Sequence, residues 1–228
     1  MKSIVLLSGG LDSAVNLANA VRNGEVKLCL TFDYGQRAAV QEITHAEKLS
    51  KHFGADHKVL RLEFFNCFRN ALTSEKIPVP EIDKESLDDL QITKETAKSV
   101  WVPNRNGIFI NIAAAFAENI GADTVITGFN AEEAKTFLDN SEEYVLAINK
   151  ALQYSTSNGV RVISYTQRLN KEEIVCLGKR LNVPWDYIWS CYYGGTKMCG
   201  RCESCMRYFR SLECAGVKPN EVGALKID

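Results

Sequence analysis

The tightest restriction on the fold lies near the start of the chain. Residues 3–7 (SIVLL) form a short apolar run, Ser8-Gly9-Gly10-Leu11-Asp12-Ser13 follows at once, and residues 14–21 continue with helical character. A strand that passes through two glycines straight into a helix is a βα unit. The glycines let the backbone turn sharply and approach a ligand closely, because no Cβ stands in the way. Ser8, Ser13 and the N–H groups opening the helix supply donors, and the helix dipole adds positive potential at the same point. The segment is predicted to cradle a phosphate. The bland alternative is a helix cap in which Asp12 and Ser13 only bond the backbone. A Walker loop is absent, since GxxxxGK[ST] does not occur and Gly178-Lys179-Arg180 lacks its spacing and hydroxyl.

Further strands are predicted at 27–32, 58–62, 123–127 and 160–164, with helical periodicity at 41–53, 108–120 and 142–155. Such alternation demands right-handed crossovers, so the expected fold class is α/β with a mainly parallel, doubly wound sheet. Ligands in these sheets bind beyond the carboxyl ends of the strands. Residues 73–99, polar and with two prolines, read as a mobile or lid-like surface excursion, and 127–141 as a polar loop after a strand. From 185 onward cysteines replace hydrophobic periodicity. The chain is therefore expected to divide into an α/β domain at 1–184 and a small C-terminal metal-binding subdomain at 185–228.

Of eight cysteines, Cys191, Cys199, Cys202 and Cys205 fall within fifteen residues. The short spacers bring four thiolates to one centre, as a tetrahedral zinc site requires, and four thiolates leave no open position, so the metal is expected to be structural. An iron–sulfur cluster uses the same donor set and stays open on spacing alone. Cys214 and the scattered Cys29, Cys67 and Cys176 read as ordinary thiols. His45, His52 and His57 have no ligand spacing with the cluster. Without a secretory signal the cysteines point to metal rather than disulfides and to a cytoplasmic protein. The balance of 27 basic against 28 acidic residues, net -1, argues against a broad nucleic-acid-binding face. No apolar run approaches the roughly 18 residues of a membrane span.

SGGxDS resembles the pyrophosphate loop of the ATP pyrophosphatases, which have an adenine nucleotide alpha hydrolase-like fold, split ATP between the α and β phosphates and transfer AMP to an oxygen nucleophile. With FDYGQR at 32–37, VPNRNG at 102–107, Thr127-Gly128 and WSCYYGGTKMCGRCESCMR at 189–207, the chain resembles the 7-cyano-7-deazaguanine synthase family over nearly its whole length. The resemblance implies conversion of 7-carboxy-7-deazaguanine, ammonia and ATP into 7-cyano-7-deazaguanine in queuosine biosynthesis, with Mg²⁺ on the ATP, one zinc on the four cysteines, and a homodimer. ATP would be bound by Leu7, Ser8, Gly9, Gly10, Leu11, Asp12, Ser13, Phe32, Tyr34 and Gly128. Asp12, Ser13, Arg37 and Arg105 would be catalytic, and Asn104, Lys135, Phe137 and Asp139 would meet the substrate. Asp139 is the expected reader of the guanine edge, with Glu132 and Glu133 as rivals, and Phe137, Tyr34 or Trp101 could stack on a base. Leu11, Ala38-Ala39 and residues 128–133 depart from the commoner pattern of the family. Rival readings are a tRNA-thiolating enzyme of the same loop class, an amide-forming ligase, and a nucleotide-binding module without turnover.

Overall fold

The structure, a computed structural model, describes residues 1–217. Strands β1 (Lys2–Leu6), β2 (Glu25–Asp33), β3 (His57–Arg61), β4 (Thr124–Ile126) and β5 (Arg161–Ile163) form one parallel sheet in the order β3-β2-β1-β4-β5. All five expected strands are present, with ends displaced by a residue or two. From β1 the chain steps through α1 (Leu11–Asn23) and α2 (Ala39–His52) to one edge. It then crosses back through α4 (Arg105–Asn119) to β4, and through α5 (Glu142–Ser155) to β5. With right-handed crossovers, this reversal puts helices on both faces and opens a crevice at the carboxyl ends of β1 and β4, where neighbouring connections leave in opposite directions. Ile4, Val5, Leu17, Ile110 and Val125 are fully buried around the central strand.

Residues 73–99 are partly folded and packed against the rest of the protein. They hold a short 3-10 turn (Glu85–Asp88) and run into helix α3 (Leu90–Val100), whose first turn is capped by Asp89 accepting from the N–H groups of Gln91 and Ile92. Val79, Leu87, Ala97 and Val100 are buried, and an isolated bridge between Glu81 and Cys202 ties the segment to the cysteine region. Thr93, Ala97 and Val100 are the buried positions of α3, a stripe one residue wide that the polar positions around it conceal in the sequence.

Two further helices, α6 (Lys171–Arg180) and α7 (Glu203–Cys214), follow among the described residues; α6 packs against both α1 and α7. Cys191, Cys202, Cys205, Tyr208 and Leu212 lie in the same continuous core as Ile4 and Leu17. Residues 218–228 of the expected subdomain lie outside the described residues. No described helix is long and apolar enough to cross a membrane.

Candidate active site

The loop between β1 and α1 is built as an open cradle. Gly10 is the N-cap of α1 and offers no side-chain cap, so the first-turn N–H groups, which have no intrahelical acceptor, are left for a ligand. The serines are tied within the loop: Ser13 Oγ donates to the Gly10 carbonyl at 3.0 Å and accepts from the Ser8 N–H at 3.2 Å. Neither Asp12 nor Ser13 acts as a helix cap. Gly9 sits at φ +78°, and a Cβ there would stand 2.8 Å from the Glu42 carbonyl oxygen on α2. After β4, a Cβ on Gly128 would stand 3.1 Å from the Ser13 nitrogen. The cradle is closed from below by the Trp189 N–H, which donates to the Gly9 carbonyl at 2.9 Å.

A cleft of about 300 Å³ opens above this loop, at the switch point of the sheet. Leu7, Ser8, Gly10, Leu11, Asp12, Ser13, Phe32, Tyr34, Arg105, Gly128 and Phe137 line it; Gly9 lies beneath, packed on α2. Phe32 stacks on Phe109 with centroids 4.1 Å apart, and Arg105 Nη1 donates to the Tyr34 hydroxyl at 3.1 Å. The remaining expected site residues lie elsewhere. The Arg37 guanidinium donates to the carbonyls of Ser74 and Ile77 and lies over the Tyr193 ring, so it anchors the segment before α3 instead of lining the cleft. Asn104 is exposed at the start of α4 with φ +54°, and Lys135 is exposed on a 3-10 turn. Asp139, half-buried, is not among the lining residues, and burial raises its carboxyl against the opposing charge of Arg105.

Sequence reasoning missed the cations that organise the cleft. Lys171, the first residue of α6, places Nζ 2.6 Å from both Asp12 Oδ2 and Glu133 Oε1. Arg207 on α7 joins Glu203 at 2.8 Å and also pairs with Glu132. Asn130 aims the two adjacent glutamates by accepting from the backbone N–H groups of Glu132 and Glu133. Burial pushes the Asp12 carboxyl up to about 6 even with Lys171 beside it. Burial works the same way on Glu133, but there the Lys171 ammonium prevails and the carboxyl is lowered. Asp12 Oδ1 is buried without a hydrogen-bond partner. A buried carboxylate oxygen lacking a donor is costly and suits a cation that arrives with the ligand. The cleft holds five carboxylates, on Asp12, Glu42, Glu132, Glu133 and Glu203, against the three cations Arg105, Lys171 and Arg207. Lys171 and Arg207 are paired with four of these carboxylates, so an anionic ligand here calls for an accompanying cation.

The four sulfurs of Cys191, Cys199, Cys202 and Cys205 lie within 4.8 Å of one another, and Cys199 and Cys205 are 3.9 Å apart. Bonds of about 2.3 Å to a tetrahedral ion imply edges of about 3.8 Å, so the donor set fits a metal. Backbone N–H groups of Tyr193 and Cys199 point at Cys191 Sγ, and that of Cys202 at Cys199 Sγ. Cys191 also lines the cleft, and α7 begins beside Cys202, so one cluster fixes the wall that carries Glu203 and Arg207.

The family model described as "Queuosine biosynthesis protein QueC" matches residues 2–216. The 7-cyano-7-deazaguanine synthase of Pelotomaculum thermopropionicum is 56% identical over 219 residues, covering 96% of this chain and 99% of that one. The protein of the same name from Methanosarcina mazei is 44% identical over 222 residues, 96% of each chain. Among solved structures, the NMN synthetase of Francisella tularensis superposes with a TM-score of 0.47 at 16% identity, over 100% of this chain and 87% of that one. With a family model spanning all but the first and last of the described residues and relatives this similar from end to end, the chain belongs to the queuosine biosynthesis protein QueC family.

Proposed function

We propose that this chain is an ATP-dependent 7-cyano-7-deazaguanine synthase that converts 7-carboxy-7-deazaguanine and ammonia into the nitrile through adenylated intermediates. The observation that carries the reading is the 56% identity, over 96% of the chain, to a 7-cyano-7-deazaguanine synthase. The cleft supports it with chemistry. A carboxylate is a poor electrophile, so each of its oxygens has to become a leaving group. In the first round a substrate oxygen attacks the α-phosphorus of ATP and pyrophosphate departs; ammonia then displaces AMP to leave the amide. In the second round the amide oxygen is adenylated, and loss of AMP and protons gives the nitrile. The first-turn N–H groups of α1, in a loop held in shape by Ser8 and Ser13, meet the departing pyrophosphate and stabilise charge as it develops. Lys171 adds a fixed positive charge at the same place, and Asp12 Oδ1 is free to hold the magnesium that accompanies ATP. Gly128 keeps the floor low enough for the nucleotide to approach. In this reading the four cysteines hold a structural zinc.

The test is incubation of the full chain with ATP, Mg²⁺, ammonium and 7-carboxy-7-deazaguanine, followed by mass spectrometry. The expected result is the nitrile with two AMP released per nitrile formed. ATP cleavage that is independent of the deazaguanine, or no nitrile at all, overturns the assignment.

A further inference from the structure

A deazaguanine carries an edge with one acceptor, the 6-oxo group, followed by two donors, the ring N–H and the 2-amino group. A protein reads that edge with one donor beside a carboxylate, because a carboxylate presents two coplanar acceptors. Adenine presents an acceptor at the ring position where guanine presents a donor, so the same carboxylate rejects it. The cleft has one carboxylate available for this. Asp12 and Glu133 are taken by Lys171, Glu132 and Glu203 are taken by Arg207, and Asp139 lies outside the lining. Glu42, on the first turn of α2, lines the cleft and has no ion-pair partner among the described residues.

The Glu42 carboxyl is nevertheless held in one orientation. Its Oε2 accepts from Gln36 Nε2 at 2.8 Å. Gln36 cannot turn, because the same amide nitrogen donates to the Phe32 carbonyl at 3.0 Å and its oxygen accepts from the Tyr34 N–H at 2.9 Å. Glu42 Oε1 and the second lone pair of Oε2 are left for a ligand. Burial raises this carboxyl, opposed by the Gln36 hydrogen bond and the charge of Arg105, as expected for an acceptor still short of donors. Arg105, fixed against Tyr34, supplies the neighbouring donor, and Phe109 and Tyr34 give the wall the flat apolar surface that suits a heteroaromatic ring. Tyr34 and Glu42 thus line the same cleft as the cradle and Lys171, with Gln36 holding the Glu42 carboxyl from outside the lining.

Resting on the proposed function, we infer that Glu42 is the specificity-determining residue that reads the ring N–H and 2-amino group of the deazaguanine, with Arg105 on its 6-oxo group. The experiment measures kcat/KM from AMP release at saturating MgATP and ammonium, for 7-carboxy-7-deazaguanine and for its analogue lacking the 2-amino group. The full-length wild-type chain is expected to prefer the amino compound by about 100-fold or more, since a site built around a hydrogen-bonding group strongly rejects the analogue lacking it. Glu42→Gln places an amide N–H against the substrate donors; it should cut kcat/KM for the amino compound through KM and bring the two compounds within about threefold. Glu42→Asp keeps the charge but withdraws it by one methylene, and should lower the preference at least tenfold even if the Gln variant fails to fold. A residue that merely held α2 in place would lower both rates together. A wild-type preference below threefold, or a variant that is folded and keeps the full preference, overturns the inference and leaves the function standing. Wild-type protein inert toward 7-carboxy-7-deazaguanine overturns the function itself.

Discussion

At the scale of single residues the site depends on a few atoms with no tolerance. Gly9 needs both a left-handed φ and the space its missing Cβ leaves against the Glu42 carbonyl, 2.8 Å from where that carbon would sit. Gly9→Ala should therefore cost on the order of 1–3 kcal/mol and move α2 off the cradle, read as a lower midpoint in thermal denaturation together with loss of ATP binding. Asp12 raises a different expectation. Its carboxyl is pushed up to about 6, and only the ionised form can hold a divalent cation, so Mg²⁺ affinity should weaken as pH falls through about 6 and recover above it. Titration of Mg²⁺ binding by calorimetry at pH 5 and pH 8 checks the sign; equal affinity at both would place the cation elsewhere. Asp12→Asn should remove the dependence and lower turnover by about 100-fold or more, the scale of losing a group that acts in the transition state. Of these residues, Ser8 to Ser13 were legible in the sequence because one contiguous motif carries them. Lys171 was not, since it stands 159 positions from Asp12 and only the sheet brings the two together.

At the scale of elements, α6 shows what local signals can say. Asn170 accepts from the Glu173 N–H, and the Glu173 carboxylate accepts from the Asn170 N–H, a capping box written plainly as Asn-Lys-Glu-Glu. That pattern marks where the helix begins and so fixes Lys171 as its first residue. Asn170→Ala should cost about 1 kcal/mol of stability and, by fraying the turn that holds Lys171, raise KM for ATP more than it lowers kcat. Thermal denaturation and steady-state kinetics on the same variant check both parts. Helix α3 is the opposite case. Its one-sided stripe of Thr93, Ala97 and Val100 is too narrow to stand out among the six other polar or charged residues of the helix, and its burial comes from contacts the local sequence does not contain. Strands fared better because a central parallel strand is apolar on both faces, so residues 3–7 and 27–32 announce themselves without help from partners.

At the scale of the whole molecule, the cysteine cluster and the cleft are one construction. The segment that supplies Cys191 also supplies the Trp189 N–H bonded to Gly9, and α7, begun beside Cys202, carries Glu203 and Arg207 into the cleft. Removing the metal should therefore do more than loosen the C-terminal region. Prolonged chelation is expected to lower the melting temperature, alter Trp189 fluorescence and weaken ATP binding, with elemental analysis showing about one zinc per chain beforehand. Chelated protein that binds ATP as tightly as before would separate the two sites.

The sequence by itself determined the α/β alternation, the glycine loop that opens α1 and the cluster of four cysteines. Each is encoded within a short stretch of chain, by apolar period, by glycine freedom or by cysteine spacing. The tertiary structure decided which charges share the cleft. It turned Arg37 outward to backbone carbonyls, brought in Lys171 and Arg207, and left Glu42 as the lining carboxylate without a cation. Those pairings depend on distances between residues far apart in the chain, and such distances exist only once the sheet and its crossovers are formed.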